Sequence, residues 1–224
     1  MGPISLLAFL SASFSAAQAP LVVAIGDSTT AGTPYFLSPS EAPPGGRSDA
    51  EAPYPREIER RLGWSVLNRG VAGERSDEIR ARFMRDALSE HPRYVILLAG
   101  VNDIYQGVPL SETEKNLRWM YERARESRAL PIAASVLPFD RSTAAQRARL
   151  RELNDWIRKE AAAEKIPFCD FAAAAADGRD RDKLSGSPDG LHPNRATYAL
   201  VGAAAARCLK TLEKPRAAEK NQLR

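Results

Sequence analysis

The chain has 224 residues with a formal net charge of +4, 44% hydrophobic and 27% charged. This composition suits one α/β domain with a sizeable core and excludes a chain disordered throughout. No uncharged apolar run reaches the roughly 18–20 residues of a membrane helix, so an integral multi-span protein is excluded. Most of the charge sits at the end: Lys214, Arg216, Lys220 and Arg224 face only Glu219, leaving 28 basic against 27 acidic residues in the body. Such a body lacks the basic stripe that nucleic-acid binding requires.

Ile4 to Leu10 is apolar, small residues follow through Ala19, and no charge precedes Asp27. This matches a secretory signal over residues 1–19, although the basic n-region is missing. Secreted or periplasmic localisation is the expectation, with residues 20–213 as the folded domain and 214–224 as a disordered basic tail.

Leu21 to Ile25 is a continuous apolar run, as in a strand buried on both faces of a parallel sheet. Arg56 to Leu62 reads as a helix opened by Pro55 and stopped by Gly63. A second strand covers Trp64 to Leu67. Ser76 is the expected cap of a helix showing Ile79, Phe83, Ala87 and Leu88 to the core. Tyr94 to Ala99 is the strongest strand signal. Ser111 and Glu114 suggest a capping box for a helix with Leu117, Met120, Tyr121 and Ala124 inward. Strand four is expected over Pro131 to Leu137, and Ser142 or Thr143 opens a helix with Leu150, Leu153 and Ile157 inward. Ile166 to Phe171 is strand five, and Asn194 caps a last helix with Tyr198, Val201 and Leu209 inward. The arginine-rich stretches 56–61, 80–85 and 147–151 are interspersed with acids and read as solvated helix faces. Thr33 to Pro53 and Ala172 to Pro188 stay irregular, with a helical turn open for the alanine run of the second.

Five strands separated by helices imply parallel pairing with helices on both faces. Ligands in such sheets bind beyond the carboxyl ends of the strands. That edge gathers Gly26-Asp27-Ser28, Asn68 to Gly73, Gly100-Val101-Asn102-Asp103 and Asp189-Gly190-Leu191-His192. A hydroxyl, accessible backbone N–H groups, a carboxamide, a carboxylate and an imidazole are the components of acyl transfer. Of the two histidines, His91 precedes strand three at the opposite edge, roughly a strand length of ~17–20 Å away. His192 is therefore the candidate base. Cys169 and Cys208 could pair after export, but a strand-to-helix bridge needs Cα atoms within about 7 Å, and buried free thiols are the expectation.

In this order, Gly26-Asp27-Ser28, Gly73, Gly100-x-Asn102-Asp103 and Asp189-x-x-His192 resemble the four blocks of GDSL-type (SGNH) hydrolases. The resemblance runs from Leu21 to about Leu209. It implies a three-layer α/β/α, flavodoxin-like fold with a five-stranded parallel sheet in the order 2-1-3-4-5. It also implies Ser28 as nucleophile, His192 as base, Asp189 as its orienting acid, and an oxyanion hole from the Ser28 and Gly73 N–H groups and the Asn102 side chain. The expected substrate is a small-molecule, glycan or lipid ester, with no cofactor and no metal. Thr29 departs from the leucine of the family motif, and Thr197 from a frequent glycine. An α/β-hydrolase fits worse, because Gly26 to Thr30 lacks the second glycine of a nucleophile elbow. Lysophospholipase, thioesterase and carbohydrate acetylesterase activities stay open, as does a non-catalytic binding module. Tyr35, Phe36, Leu37, Leu137 and Phe139 could wall an acyl pocket or fold onto their own core.

Overall fold

Alternate side chains of a strand point to opposite faces, and the first strand of the computed structural model, which describes residues 19–213, uses both. In β1 (Leu21–Gly26), Val23 and Ile25 join one apolar cluster while Val22 and Ala24 join another, all four fully buried. The remaining strands of the sheet are β2 (Ser65–Gly70), β3 (Tyr94–Leu98), β4 (Leu130–Ala134) and β5 (Phe168–Cys169). They pair in parallel in the order β2-β1-β3-β4-β5. β1, β3 and β4 are buried on both faces, the property that made their apolar runs legible, whereas the edge strand β2 is only partly buried.

Among the described residues, eight α-helices connect and cover the strands: α1 (Ser28–Ala31), α2 (Tyr54–Leu62), α3 (Ser76–Phe83), α4 (Val101–Gln106), α5 (Leu110–Glu126), α6 (Ala144–Ala163), α7 (Phe171–Ala175) and α8 (Arg195–Leu212). One face of the sheet packs on Ile79 and Phe83 of α3, Leu117 and Met120 of α5, and Leu150, Leu153 and Ile157 of α6. The other packs on Tyr54 and Ile58 of α2 and on Tyr198, Val201 and Leu209 of α8. The result is the expected α/β/α sandwich. Each of these side chains is worth about 1.5–3 kcal/mol when fully buried.

Several local expectations are corrected. Ser76 is not a cap but the first residue of α3, and its hydroxyl is drawn into the protein by Asp103. The Ser111–Glu114 capping box is absent, because Pro109 already sets the start of α5 at Leu110. Strand β2 begins one residue later than expected and runs on to Gly70, while β4 ends at Ala134 rather than Leu137. The fifth strand is only Phe168–Cys169, because Asp170 accepts a hydrogen bond from Ala173 N and turns the chain into α7. The Thr33–Pro53 stretch contains a short hairpin of Phe36–Leu37 with Arg47–Ser48. Thr143 and Asn194 cap α6 and α8 as expected. The signal segment falls outside the described residues except for Ala19, and the basic tail lies wholly outside them.

Cys169 and Cys208 form a disulfide, contrary to the free thiols expected. Sequence could not supply the Cα separation; α8 packs beside β5 and brings it to 5.9 Å, within bridging range. The bridge spans 39 residues, which in the chain-entropy model corresponds to about 3–4.5 kcal/mol of stabilisation. Cys169→Ala/Cys208→Ala is therefore expected to unfold at clearly lower urea concentration than the oxidised protein. Coincident midpoints would contradict it.

Candidate active site

Gly26 ends β1 where it passes close to β3, and a side chain there would drive into Leu98 O and the Thr30 side chain. Asp27 caps α1 by accepting from Thr29 N at 2.8 Å, which presents Ser28 as the first residue of that helix. Ser28 is nearly buried, at 7% exposure. Its Oγ lies 3.0 Å from His192 Nε2, and His192 Nδ1 lies 2.7 Å from Asp189 Oδ2. A carboxylate beside Nδ1 favours the tautomer that carries its proton there, leaving Nε2 to accept from the Ser28 hydroxyl.

The acid and the imidazole share one turn. Asp189 Oδ1 accepts from the backbone N–H groups of Leu191 and His192, at 2.9 and 2.8 Å. Ser187 Oγ accepts from Gly190 N at 2.8 Å and donates to His192 O at 2.6 Å. Partial burial alone would raise the Asp189 carboxyl. The His192 ring and the two backbone donors outweigh it and hold the group well below the usual carboxylate range. This residue thus stays ionised throughout the neutral range.

Gly73 and Asn102 arrive from neighbouring strands. Gly73 has φ +82° with open space around its Cβ position, so backbone conformation rather than crowding selects glycine. The loop before it is pinned: Val71 N donates to Gly26 O at 3.0 Å, Asn68 Nδ2 to Ala31 O at 3.0 Å, and Ala72 N to Glu41 Oε1 at 2.9 Å. Asn102 uses one amide hydrogen on Glu74 O, at 2.8 Å, which fixes the carboxamide and leaves its second hydrogen for another acceptor. Buried Asp103, the next residue, accepts from Ser76 N at 2.9 Å, Ser76 Oγ at 2.5 Å and Thr113 Oγ1 at 3.0 Å. Adjacent residues of one motif therefore grip the Gly73–Ser76 segment at two points.

His91, exposed and with φ +50°, sits in the turn before β3 at the amino-terminal edge, away from this cluster. Phe36 lines a cavity of about 430 Å³ between the first loop and β2, with Val66, Leu67 and Asn68. None of the triad candidates lines it. Leu137 and Phe139 are buried, Phe139 against the exposed ring of Tyr105. Trp64, Trp119 and Trp156 pack against the protein itself. Among the described residues no cluster of three or more His, Cys, Asp or Glu is arranged to hold a metal ion.

A family model described as "GDSL-like Lipase/Acylhydrolase family" matches residues 24–200. The chain belongs to this family. A solved protein of the G-D-S-L family from Desulfitobacterium hafniense is similar at 29% identity and a TM-score of 0.72, covering 84% of this chain and 99% of that one. The thioesterase 1/protease 1/lysophospholipase L1 of Escherichia coli is 26% identical over 84% of this chain and 82% of its own length. A GDSL-like lipase from Bacteroides thetaiotaomicron, at 23% identity and a TM-score of 0.68 over 86% and 89% of the two chains, shares the fold. A lipoprotein of Bacillus subtilis, YqeF, is 29% identical over only 33% of this chain and 32% of its own. This GDSL chain is thus a member of an esterase and acylhydrolase family, and no helix among its described residues is long and apolar enough to cross a membrane.

Asp27 has an electrostatic character that its place in the motif did not announce. Burial pushes its carboxyl up to about 7, the Thr29 bonds work the other way, and the charges of Asp103 and Glu74 add to the rise. The folded state holds this proton more tightly than the unfolded chain does. The resulting stability is full below the ordinary pKa of 3.8 and is lost as pH rises through about 7. Asp27→Asn keeps an oxygen for Thr29 N but cannot ionise. Its stability relative to the native protein is expected to rise between pH 4.5 and 8, read by urea unfolding at both pH values. A pH-independent difference would contradict the assignment.

Proposed function

We propose that the protein is an exported serine esterase that cleaves carboxylic esters through Ser28, His192 and Asp189 and an acyl-enzyme intermediate. The Ser28–His192–Asp189 chain of contacts, at 3.0 and 2.7 Å, carries this reading. Ser28 Oγ attacks the ester carbonyl while His192 Nε2 takes its proton and then delivers it to the leaving alcohol. Water, deprotonated by the same imidazole, attacks the acyl-enzyme; the acid leaves and Ser28 regains its proton. Asp189 stabilises the imidazolium formed in both halves. Charge on the carbonyl oxygen is met by the Ser28 and Gly73 N–H groups and the free amide hydrogen of Asn102. No step needs a metal or cofactor.

Short acyl or acetyl esters are the first reading of the substrate, and the length of the acyl chain is what the ester series below tests. The Escherichia coli relative's name supports thioesterase or lysophospholipase activity as the second reading. Export is supported by the disulfide, which persists in oxidising compartments and is rare in reducing ones.

A fluorophosphonate probe is expected to label the protein covalently at Ser28 and to leave Ser28→Ala unlabelled. In a series of p-nitrophenyl esters, kcat/KM is expected to be highest for acetate or butyrate and to fall toward longer chains. An optimum at eight or more carbons would instead favour the lipid or thioester reading. Absence of labelling with every ester inert would leave a non-catalytic module.

A further inference from the structure

One arginine of the stretch expected to be a solvated helix face is not solvated. Arg80 is half-buried against α5, donating to Asn116 Oδ1 at 3.1 Å and lying over the Trp119 ring, and Arg85 is exposed, whereas Arg82 is 7% exposed. Its guanidinium uses three different nitrogens. Nε donates to Glu74 Oε2 at 2.7 Å, Nη2 to Gly26 O at 3.0 Å, and Nη1 to Asp86 Oδ2 at 3.3 Å. Charge neutralisation would account for the two acids. It does not account for the bond to a backbone carbonyl at the end of β1.

Each of the first two contacts leads to a proposed oxyanion donor. Gly26 stands two residues before Ser28, and its carbonyl also accepts from Val71 N in the loop that ends at Gly73. Glu74 follows Gly73 directly, and its own carbonyl is the acceptor that fixes the Asn102 carboxamide. The Ser28 N–H, the Gly73 N–H and the Asn102 side chain come from three separate strand exits. Arg82 bonds directly to two of these exits, at Gly26 O and Glu74, and reaches the third through Glu74, whose carbonyl holds Asn102.

We propose that Arg82 is a positioning residue that sets the mutual spacing of the three oxyanion donors. The inference rests on the serine-esterase reading above. A planar guanidinium spans Gly26 O and Glu74 in a fixed fork, whereas a lysine ammonium is a compact charge that can retain the ion pair but not the fork. Oxyanion stabilisation depends on donors already in place, and a misplacement of about 1 Å can cost about 10²-fold.

The test compares Arg82→Lys, Asn102→Ala and the double variant on p-nitrophenyl acetate, with thermal unfolding measured alongside. Arg82→Lys is expected to lose about 10–100-fold in kcat with KM within about twofold, since a displaced donor is felt mainly in the transition state. In the Asn102→Ala background the same change should cost markedly less, because one of the donors it positions is already gone. A merely structural role would make the two losses multiply. Multiplicative losses, or a wild-type kcat for Arg82→Lys, would overturn the inference. Should Arg82→Lys fail to fold, Glu74→Gln weakens the same link from the other end, and a wild-type kcat for it would overturn the inference equally. Ser28→Ala separates the two levels. If it retains wild-type turnover, the triad reading falls and this inference with it. If it is inactive while Arg82→Lys is normal, only the role of Arg82 is rejected.

Discussion

Ser28→Ala is expected to reduce hydrolysis of p-nitrophenyl acetate by about 10⁴-fold or more, leaving only what the oxyanion donors and binding supply. The substitution removes the hydroxyl in contact with His192 Nε2. It should do little else, since Ser28 is the first residue of α1 and the cap contributed by Asp27 uses Thr29 N, not the serine side chain. Thermal unfolding of the variant should therefore stay close to that of the native protein. Native-like turnover in a folded Ser28→Ala would reject the nucleophile and with it the acyl-enzyme route.

The second large effect concerns Asp189. In Asp189→Asn the carboxamide oxygen could still accept from Leu191 N and His192 N, so the turn should be preserved. The new amide nitrogen would then face His192 Nδ1, a donor where the ring now finds an acceptor. The imidazole is driven toward the tautomer with its proton on Nε2, the nitrogen facing Ser28, and in that form it cannot act as the base. A loss of about 10⁴ in kcat is expected, by the tautomer argument established for serine proteases. Measured at pH 8, a kcat within tenfold of the native value would show that Asp189 does not govern the tautomer.

The sheet and the main helices were legible because their signals are local. Leu21–Gly26 and Tyr94–Leu98 are apolar runs buried on both faces, and α5 and α6 show full helical stripes over 17 and 20 residues. α4 was not legible: Val101–Gln106 is too short to display a period of 3.6, and Gly100-Val101-Asn102-Asp103 reads as a plain strand exit. The Ser76 cap failed for a related reason, since its partner Asp103 is 27 residues away and arrives only when α3 and α4 meet. Ser28, Asp189 and His192 could be proposed from their order along one sheet edge. Glu74 and Arg82 could not. A charge among charges carries no sign of burial, and only the fold distinguishes Arg82 from Arg80 and Arg85.

The disulfide also divides the proposed machinery covalently. Asp189 and His192 lie inside the ring closed by Cys169 and Cys208, whereas Ser28, Gly73 and Asn102 lie outside it. Arg179 and Arg181 are exposed sites for a trypsin-like protease within that ring. A single cut there opens the ring without separating the molecule, since the bridge still joins the two fragments. The acid–base half thus stays tethered to the nucleophile half after one backbone cut, until a reductant also reaches the bridge.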